Sequence, residues 1–98
     1  MNGSQACYVY VLGSWDGARP RTYVGWSTDV AARLAAHNSG RGAKSTRGRS
    51  WLVLYVEKFR IRGEAMSREW HLKRDRKLRR ALVENWDQAR PAASASKA

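Results

Sequence analysis

The sequence predicts a small α/β domain of the α+β type, in which helices flank a three-stranded antiparallel sheet in the order β-β-α-β-α-α. Three observations predict it. The chain has 98 residues, 43% of them apolar, which suits one domain with one core. Two segments rich in aromatic and β-branched residues flank a run of turn formers, as in a β-hairpin. A third apolar segment precedes stretches whose apolar residues recur at helical spacing.

The first two strands form the predicted hairpin. Residues 7–12 (CYVYVL) and 21–26 (RTYVGW) have the composition of strands. Residues 13–20 between them contain an Asp-Gly pair and a proline, which favour chain reversal. The sequence therefore predicts two antiparallel neighbours joined by a turn.

A short helix is predicted over residues 30–37. The Ser-Thr-Asp run at 27–29 predicts its N-cap, and Asn38 and Gly40 predict its end. Residues 40–50 then hold glycines and basic residues but no acidic residue, which predicts a cationic loop outside the core.

The second half of the chain supplies one strand and two helices. Residues 51–56 (WLVLYV) are almost continuously apolar, which favours a central strand covered on both faces. Residues 62–74 and 75–86 are predicted to form the second and third helices. The apolar stripe of the second helix comprises Ala65, Met66, Trp70 and Leu72, and that of the third comprises Leu78, Leu82 and Trp86.

Composition divides the chain into one domain with two short ends. Residues 7–87 are predicted to form the domain, and residues 1–6 and the Ala/Ser-rich residues 88–98 to be disordered. Cys7 is the single cysteine, which excludes a disulfide framework and a cysteine-based zinc site. Without a signal peptide or a segment apolar enough to span a bilayer, we expect a cytoplasmic protein with no membrane partner.

The strong positive charge points to a polyanionic partner. The formal net charge is +11, and most of the 19 basic residues are arginine. A polyanion relieves the self-repulsion of such a chain, and arginine binds phosphate bidentately, so nucleic acid is the expected partner. The alternative from charge alone is a solvated cationic surface.

Five polar side chains at informative positions suggest a reaction site. Tyr10 and Tyr23 lie on neighbouring strands, and Arg33 and His37 project from one face of the first helix because they are four residues apart. Glu69 is an acidic residue in an otherwise basic and apolar stretch of the second helix. The five converge if the first and second helices both pack on the sheet face that bears the tyrosines.

These residue types suit the hydrolysis of phosphodiesters. A carboxylate binds Mg²⁺, arginine stabilises charge on phosphoryl oxygens, and a phenol or imidazole positions or deprotonates water. A tyrosine pKa near 10 must first be lowered by the metal, Arg33 or His37. Each residue alone has a simpler explanation as a core aromatic, a solvated surface group or, for Glu69, an ion pair with Lys73. Only their joint occurrence favours catalysis.

The ordered series of motifs resembles the GIY-YIG nuclease domain. Tyr-Val-Tyr at 8–10, Tyr-Val-Gly at 23–25, Arg33 with His37, and Glu69 in a later helix carry the resemblance. It runs over residues 8–82 and is similar to the short stand-alone bacterial members and to the nuclease domain of structure-selective endonucleases.

The resemblance implies a DNA endonuclease that uses one divalent ion, Mg²⁺ or Mn²⁺, and leaves 5′-phosphate and 3′-hydroxyl ends. Glu69 matches the metal ligand and Arg33 the catalytic arginine. Tyr10 matches the general base or water-positioning phenol, and Tyr23 the tyrosine that supports the nucleophile or binds the phosphate. His37 occupies a catalytic position that other branches fill with tyrosine or histidine.

Two positions depart from the family pattern, and a third feature has one candidate residue. Tyr8 replaces the glycine of the first motif. Trp26 stands where some members carry a lysine, which leaves Lys44 as an alternative source of that charge. Asn85 is the late asparagine available for the position that many members fill with this residue.

The resemblance and the charge together suggest a nucleic-acid-binding surface. Gly25 is expected to keep the site uncrowded, and the 40–50 loop to hold the phosphate backbone. The expected contacts of this loop are Arg41, Lys44, Thr46, Arg47 and Arg49. Single-stranded or branched DNA is the expected substrate of a monomer, with RNA as an alternative. The rival functions are a non-catalytic nucleic-acid-binding module and a nuclease subunit that needs a partner chain.

Overall fold

The computed structural model describes residues 5–16 and 19–89. Three strands, three α-helices and a 3₁₀ turn follow one another along the chain. They are β1 (Cys7–Ser14), β2 (Arg21–Ser27), α1 (Val30–Asn38), the 3₁₀ turn (Lys44–Thr46), β3 (Leu52–Phe59), α2 (Arg62–Arg74) and α3 (Arg76–Ala89). The predicted α+β class and the predicted order of strands and helices are confirmed.

The central strand of the sheet is β1. The strand order is β2-β1-β3 with antiparallel pairing on both sides, so Tyr10 pairs with Gly25 of β2 and with Val56 of β3. The prediction that the third strand is central is therefore wrong. Its apolar composition misleads because Leu52 and Val56 remain 38% and 43% exposed, whereas β1 is almost wholly buried between its neighbours.

The helices cover opposite faces of the sheet. The buried residues of one face are Val9, Val11 and Val24, with Ala65 and Leu72 of α2. The residues of the other core cluster are Tyr10, Leu12 and Trp51, packed against Val30 and Leu34 of α1. The expectation that α1 and α2 share the tyrosine face is therefore wrong. Since side chains alternate along β1, the valines form a separate core surface, and α2 packs there.

The apolar stripe of α2 is narrower than predicted. Ala65 and Leu72 are buried, but Met66 is 47% and Trp70 is 52% exposed. Leu72 follows Ala65 by two helical turns, so one line of side chains reaches the core. The prediction that Met66 and Trp70 belong to the core is therefore wrong, and Trp70 is an exposed aromatic next to Glu69.

The last helix extends past the predicted end of the domain at residue 87, to Ala89. Asp75 caps its start, because the Asp75 carboxylate accepts the backbone N–H of Leu78 at 3.0 Å. The ranges predicted to be disordered, 1–6 and 88–98, fall outside the described residues except at their inner ends. Across residues 5–16 and 19–89, no helix has the length and apolarity needed to cross a membrane.

Candidate active site

Three aromatic rings meet where β1, β2 and α1 pack together. Tyr10 and His37 are each 1% exposed, and the Tyr10 hydroxyl lies 3.1 Å from Nε2 of His37. The Tyr23 ring centroid lies 4.7 Å from that of His37 and 6.4 Å from that of Tyr10. The hairpin register brings the two tyrosines onto one face, because Tyr10 pairs with Gly25 and Leu12 with Tyr23.

A hydrogen-bond chain fixes the proton positions in this cluster. The Thr46 hydroxyl donates its single proton to the Ala43 carbonyl at 2.8 Å. Its oxygen therefore accepts from Nδ1–H of His37, which lies 2.9 Å away. The neutral ring then has a lone pair on Nε2, so the Tyr10 hydroxyl donates to it. His37 is thus oriented as an acceptor for the Tyr10 proton.

Burial keeps both partners neutral at pH 7. Desolvation lowers the pKa of His37, and the positive charge of Arg33 lowers it further. Desolvation also raises the pKa of Tyr10, and this outweighs the lowering by Arg33, which lies within hydrogen-bonding reach of the phenol. The expected lowering of the Tyr10 pKa by its neighbours is therefore not the net result. The phenol therefore keeps its proton at neutral pH.

The lowered pKa of His37 predicts a loss of stability in mild acid. The unfolded chain binds a proton near the ordinary value of 6.5, and the folded chain only at lower pH. Stability is therefore complete above about pH 6.5 and falls as the pH drops from there to the folded-state pKa. Urea denaturation between pH 5 and 8 measures this effect. His37→Gln should flatten the decline, and His71→Gln, at the exposed histidine, should retain it. An equal decline in both variants would assign it to other groups.

Arg33 and Glu69 complete the group around Tyr10. The charge of Arg33 lowers the pKa of the Tyr10 phenol, and that of Glu69 raises it, so both lie within electrostatic range. Lys73, the ion-pair partner of Glu69, lines one cavity together with Tyr23 of β2. The structure thus brings Tyr10, Tyr23, Arg33 and His37 together, whereas Glu69 lies on α2 and affects Tyr10 only through its charge.

Glu69 has the properties of a ligand for a hard cation. Its side chain is 21% exposed, and Oε2 lies 3.5 Å from Nζ of Lys73. Mg²⁺ commonly binds through one or two carboxylates and keeps its other positions for water and substrate phosphate. Within the described residues, no group of three or more His, Cys, Asp or Glu side chains forms a fuller cage. A divalent ion at this site would therefore be held by the Glu69 carboxylate, with its other positions open to water or phosphate.

Two glycines allow the chain to approach the reacting side chains. A Cβ at Gly25 would lie 2.5 Å from the Tyr10 hydroxyl oxygen. A Cβ at Gly42 would overlap Nδ1 of His37 and lie 2.8 Å from its Cα. Gly25 was expected from the sequence, whereas Gly42 was not, because its only signal is its place in the Arg-Gly run just after the first helix.

Asn38 holds the loop of residues 40–50 closed around His37. Its side-chain amide donates to the Trp51 carbonyl at 3.0 Å and accepts from the Trp51 N–H at 2.6 Å. The Trp51 indole donates to the Thr46 carbonyl at 2.8 Å. The sequence analysis treated Asn38 only as a helix terminator, because its partner lies in another element.

The loop residues expected to bind nucleic acid form two groups. Arg41, Lys44 and Arg47 are exposed. Thr46 is fully buried and bonded internally. Arg49 donates to the Ser14 hydroxyl at 3.0 Å and to backbone carbonyls of the hairpin turn. Contrary to expectation, Thr46 and Arg49 hold the loop in place, and the three exposed cations are available to a ligand.

A phenol–imidazole pair, an arginine and a carboxylate open to a cation are the groups that a metal-dependent nuclease requires. The chain matches the model of the GIY-YIG catalytic domain over residues 6–81. It therefore belongs to the GIY-YIG family of nucleases, which generally use a divalent metal.

Similar proteins carry the name UPF0213. One from Streptococcus pneumoniae is 45% identical over 83 residues, which cover 82% of this chain and 81% of that one. One from Halobacterium salinarum is 46% identical over 67 residues, covering 67% and 83%. The solution NMR structure of a UPF0213 protein from Bacillus halodurans matches with 38% identity and a TM-score of 0.46, covering 81% of this chain and 83% of that one.

Proposed function

We propose that this protein is a divalent-metal-dependent DNA endonuclease that leaves 5′-phosphate and 3′-hydroxyl ends. The observation that carries the proposal is the buried hydrogen-bond chain from Tyr10 through His37 to Thr46 in a member of the GIY-YIG family. Nε2 of His37, which carries the lone pair, lies 3.1 Å from the Tyr10 hydroxyl, so the phenol has a proton acceptor in direct contact. A module that only binds nucleic acid has no use for this arrangement.

Each side chain in the site has one task in this proposal. Tyr10 accepts a proton from the attacking water as its own proton passes to Nε2 of His37. Arg33 stabilises the negative charge on the phosphoryl oxygens, and Tyr23 positions the phosphate beside the phenol. Glu69 holds one ion, Mg²⁺ or Mn²⁺, which when bound supplies Lewis-acid stabilisation of the phosphate and of the leaving oxygen.

An exposed tryptophan near the carboxylate favours substrates with unpaired bases. Trp70 follows Glu69 in α2, is 52% exposed, and has the Arg74 guanidinium 3.7 Å from its ring centroid. A base stacked on an aromatic side chain contributes about 1–3 kcal/mol without sequence preference. Single-stranded DNA, or the unpaired arm of a branched DNA, is therefore the proposed substrate. The protein is proposed to act as a cytoplasmic monomer.

Cleavage of labelled oligonucleotides tests the proposed function. The substrates are a single strand, a duplex, a flap and a four-way junction of the same sequence, each with Mg²⁺, Mn²⁺ or EDTA. We expect metal-dependent products with 3′-hydroxyl ends, formed faster from the single strand and flap than from the duplex. Salt-sensitive binding without cleavage of any substrate in either metal would contradict the proposal and favour the binding module. Cleavage only after addition of cell extract would favour a nuclease subunit that needs a partner.

A further inference from the structure

A basic cleft lies between the hairpin turn and α3, whose arginines belong to the basic stretch of the second and third helices. It has a volume of about 390 Å³, and its lining includes Arg19, Thr22, Arg76, Arg79 and Arg80. No acidic side chain lines it among the described residues. The sequence hides this cluster because its cations come from the turn and from α3, which are distant in the chain.

The cleft continues towards the candidate active site. An adjoining cavity of about 210 Å³ shares Thr22 and Arg79 with it. That second cavity is also lined by Tyr23 and by Lys73, the ion-pair partner of Glu69. The two adjoining cavities, together called the path, extend from the arginines of α3 to Tyr23.

Arg79, which lines both cavities of this path, makes three hydrogen bonds to neighbouring elements. Nε of Arg79 donates to the Thr22 hydroxyl at 3.1 Å. Nη1 of the same residue donates to the carbonyls of Leu72 and Lys73 at 2.7 and 2.6 Å. These bonds join the start of α3 to the end of α2 and to β2. Arg79 thus fixes the geometry of the path.

The walls of the path present unengaged positive charge. Arg76 and Arg80 are exposed, and because they are four residues apart they project from one side of α3. Arg19 is exposed on the hairpin side of the cleft. The ion pairs in the described part of the chain are Arg68–Glu57 and Lys73–Glu69, so neither Arg76 nor Arg80 has an acidic partner there.

We propose that this cleft binds the phosphate backbone of the substrate strand beyond the scissile phosphate. The inference rests on the proposed function, since it assigns a course to the strand that enters the active site. Guanidinium groups bind phosphate bidentately and without reading bases, which suits a site used for any sequence. A strand long enough to occupy the cleft therefore binds more tightly than one that covers only the active site.

Charge reversal on α3 tests the inference. The test variant is Arg76→Glu with Arg80→Glu, and the matched control is Lys58→Glu with Arg60→Glu, two exposed cations at and just beyond the end of β3, the opposite edge strand. Both variants change the net charge equally, and glutamate suits the first turns of a helix. Circular dichroism checks that each folds. Fluorescence anisotropy in EDTA measures the binding of single-stranded oligonucleotides of increasing length.

The cleft variant should bind the long oligonucleotide at least tenfold more weakly than the control variant. The slope of log affinity against log salt concentration should become less steep by about 1.4, because two phosphate contacts are lost and each contributes roughly 0.7 for a single strand. For the shortest oligonucleotide that binds, the two variants should match. Equal weakening by both variants at every length, or an unchanged slope, would overturn the inference. The inference would also be overturned if inorganic phosphate displaced the labelled oligonucleotide as effectively as unlabelled oligonucleotide does at the same phosphate concentration. The cleft would then be a site for a small anion.

The readout separates this inference from the proposed function, because binding in EDTA requires no cleavage. If binding depends on oligonucleotide length and on the cleft substitutions while the wild-type protein cuts no substrate, the nuclease proposal is contradicted and the cleft is supported. If the wild-type protein cleaves with metal but the two variants bind DNA equally, the nuclease proposal is supported and the cleft is overturned.

Discussion

Replacement of Glu69 by glutamine is expected to slow DNA cleavage by about 10²–10³-fold, the loss seen when one group that stabilises transition-state charge is removed. The amide is a weaker ligand for Mg²⁺ than the carboxylate, and the charge that raises the pKa of Tyr10 disappears with it. The fold should persist, because the ion pair with Lys73 is long, at 3.5 Å, and Lys73 is half exposed, so the pair contributes little to stability. Single-turnover rates across a Mg²⁺ titration measure the effect.

The matched control for this prediction is Glu64→Gln. Glu64 lies in the first turn of the same helix and is exposed, so the control changes the charge equally without altering the site. Binding in EDTA should be unchanged or slightly tighter in both variants, since each loses a negative charge. A Glu69→Gln protein that cleaves within threefold of the parent would remove Glu69 as the metal ligand.

Removal of the Tyr10 hydroxyl is expected to lower the cleavage rate by about 10²–10⁴-fold, the usual contribution of a general base. In Tyr10→Phe the ring still fills its place in the core, but Nε2 of His37 loses its donor. A buried acceptor without a partner costs about 1–3 kcal/mol. Both the single-turnover rate and the melting temperature should therefore fall, while binding in EDTA should not.

Tyr55→Phe is the control for that loss. The Tyr55 hydroxyl bonds to Glu57 at 3.1 Å in the edge strand β3, so its removal also costs one hydrogen bond. The control should retain the parent rate with a smaller change in melting temperature. A Tyr10→Phe rate within tenfold of the parent would show that water activation does not depend on the phenol.

Local signals in the sequence were sufficient for much of the fold. The Ser-Thr-Asp run predicts the start of α1, and in the structure the Asp29 carboxylate accepts the Ala32 N–H at 3.0 Å. The edge position of β3 was not predictable from composition, because an apolar run does not show whether the strand has a neighbour on one side or on both. Trp70 was misassigned for a similar reason: helical spacing identifies a face, but only packing shows how wide the buried part of that face is.

The candidate site was predictable where its geometry follows from a fixed spacing. Arg33 and His37 are four residues apart on one helix, and Tyr10 and Tyr23 face one another through the hairpin register. The support for His37 was not predictable, because Thr46 reaches it from a loop with no regular pattern. The cationic composition of that loop indicated its chemistry and concealed its packing role.

Because Gly42 lies so close to His37, the residues of this loop fall into two groups that differ in how well they tolerate mutation. Gly42 and Thr46 face the imidazole, so even small changes there alter the acceptor on which Tyr10 depends. Arg41, Lys44 and Arg47 are exposed, so the charge of the loop can change without altering the contacts of His37. Affinity for a polyanion and the chemistry of the site can therefore diverge independently among related chains, although a few adjacent residues encode both.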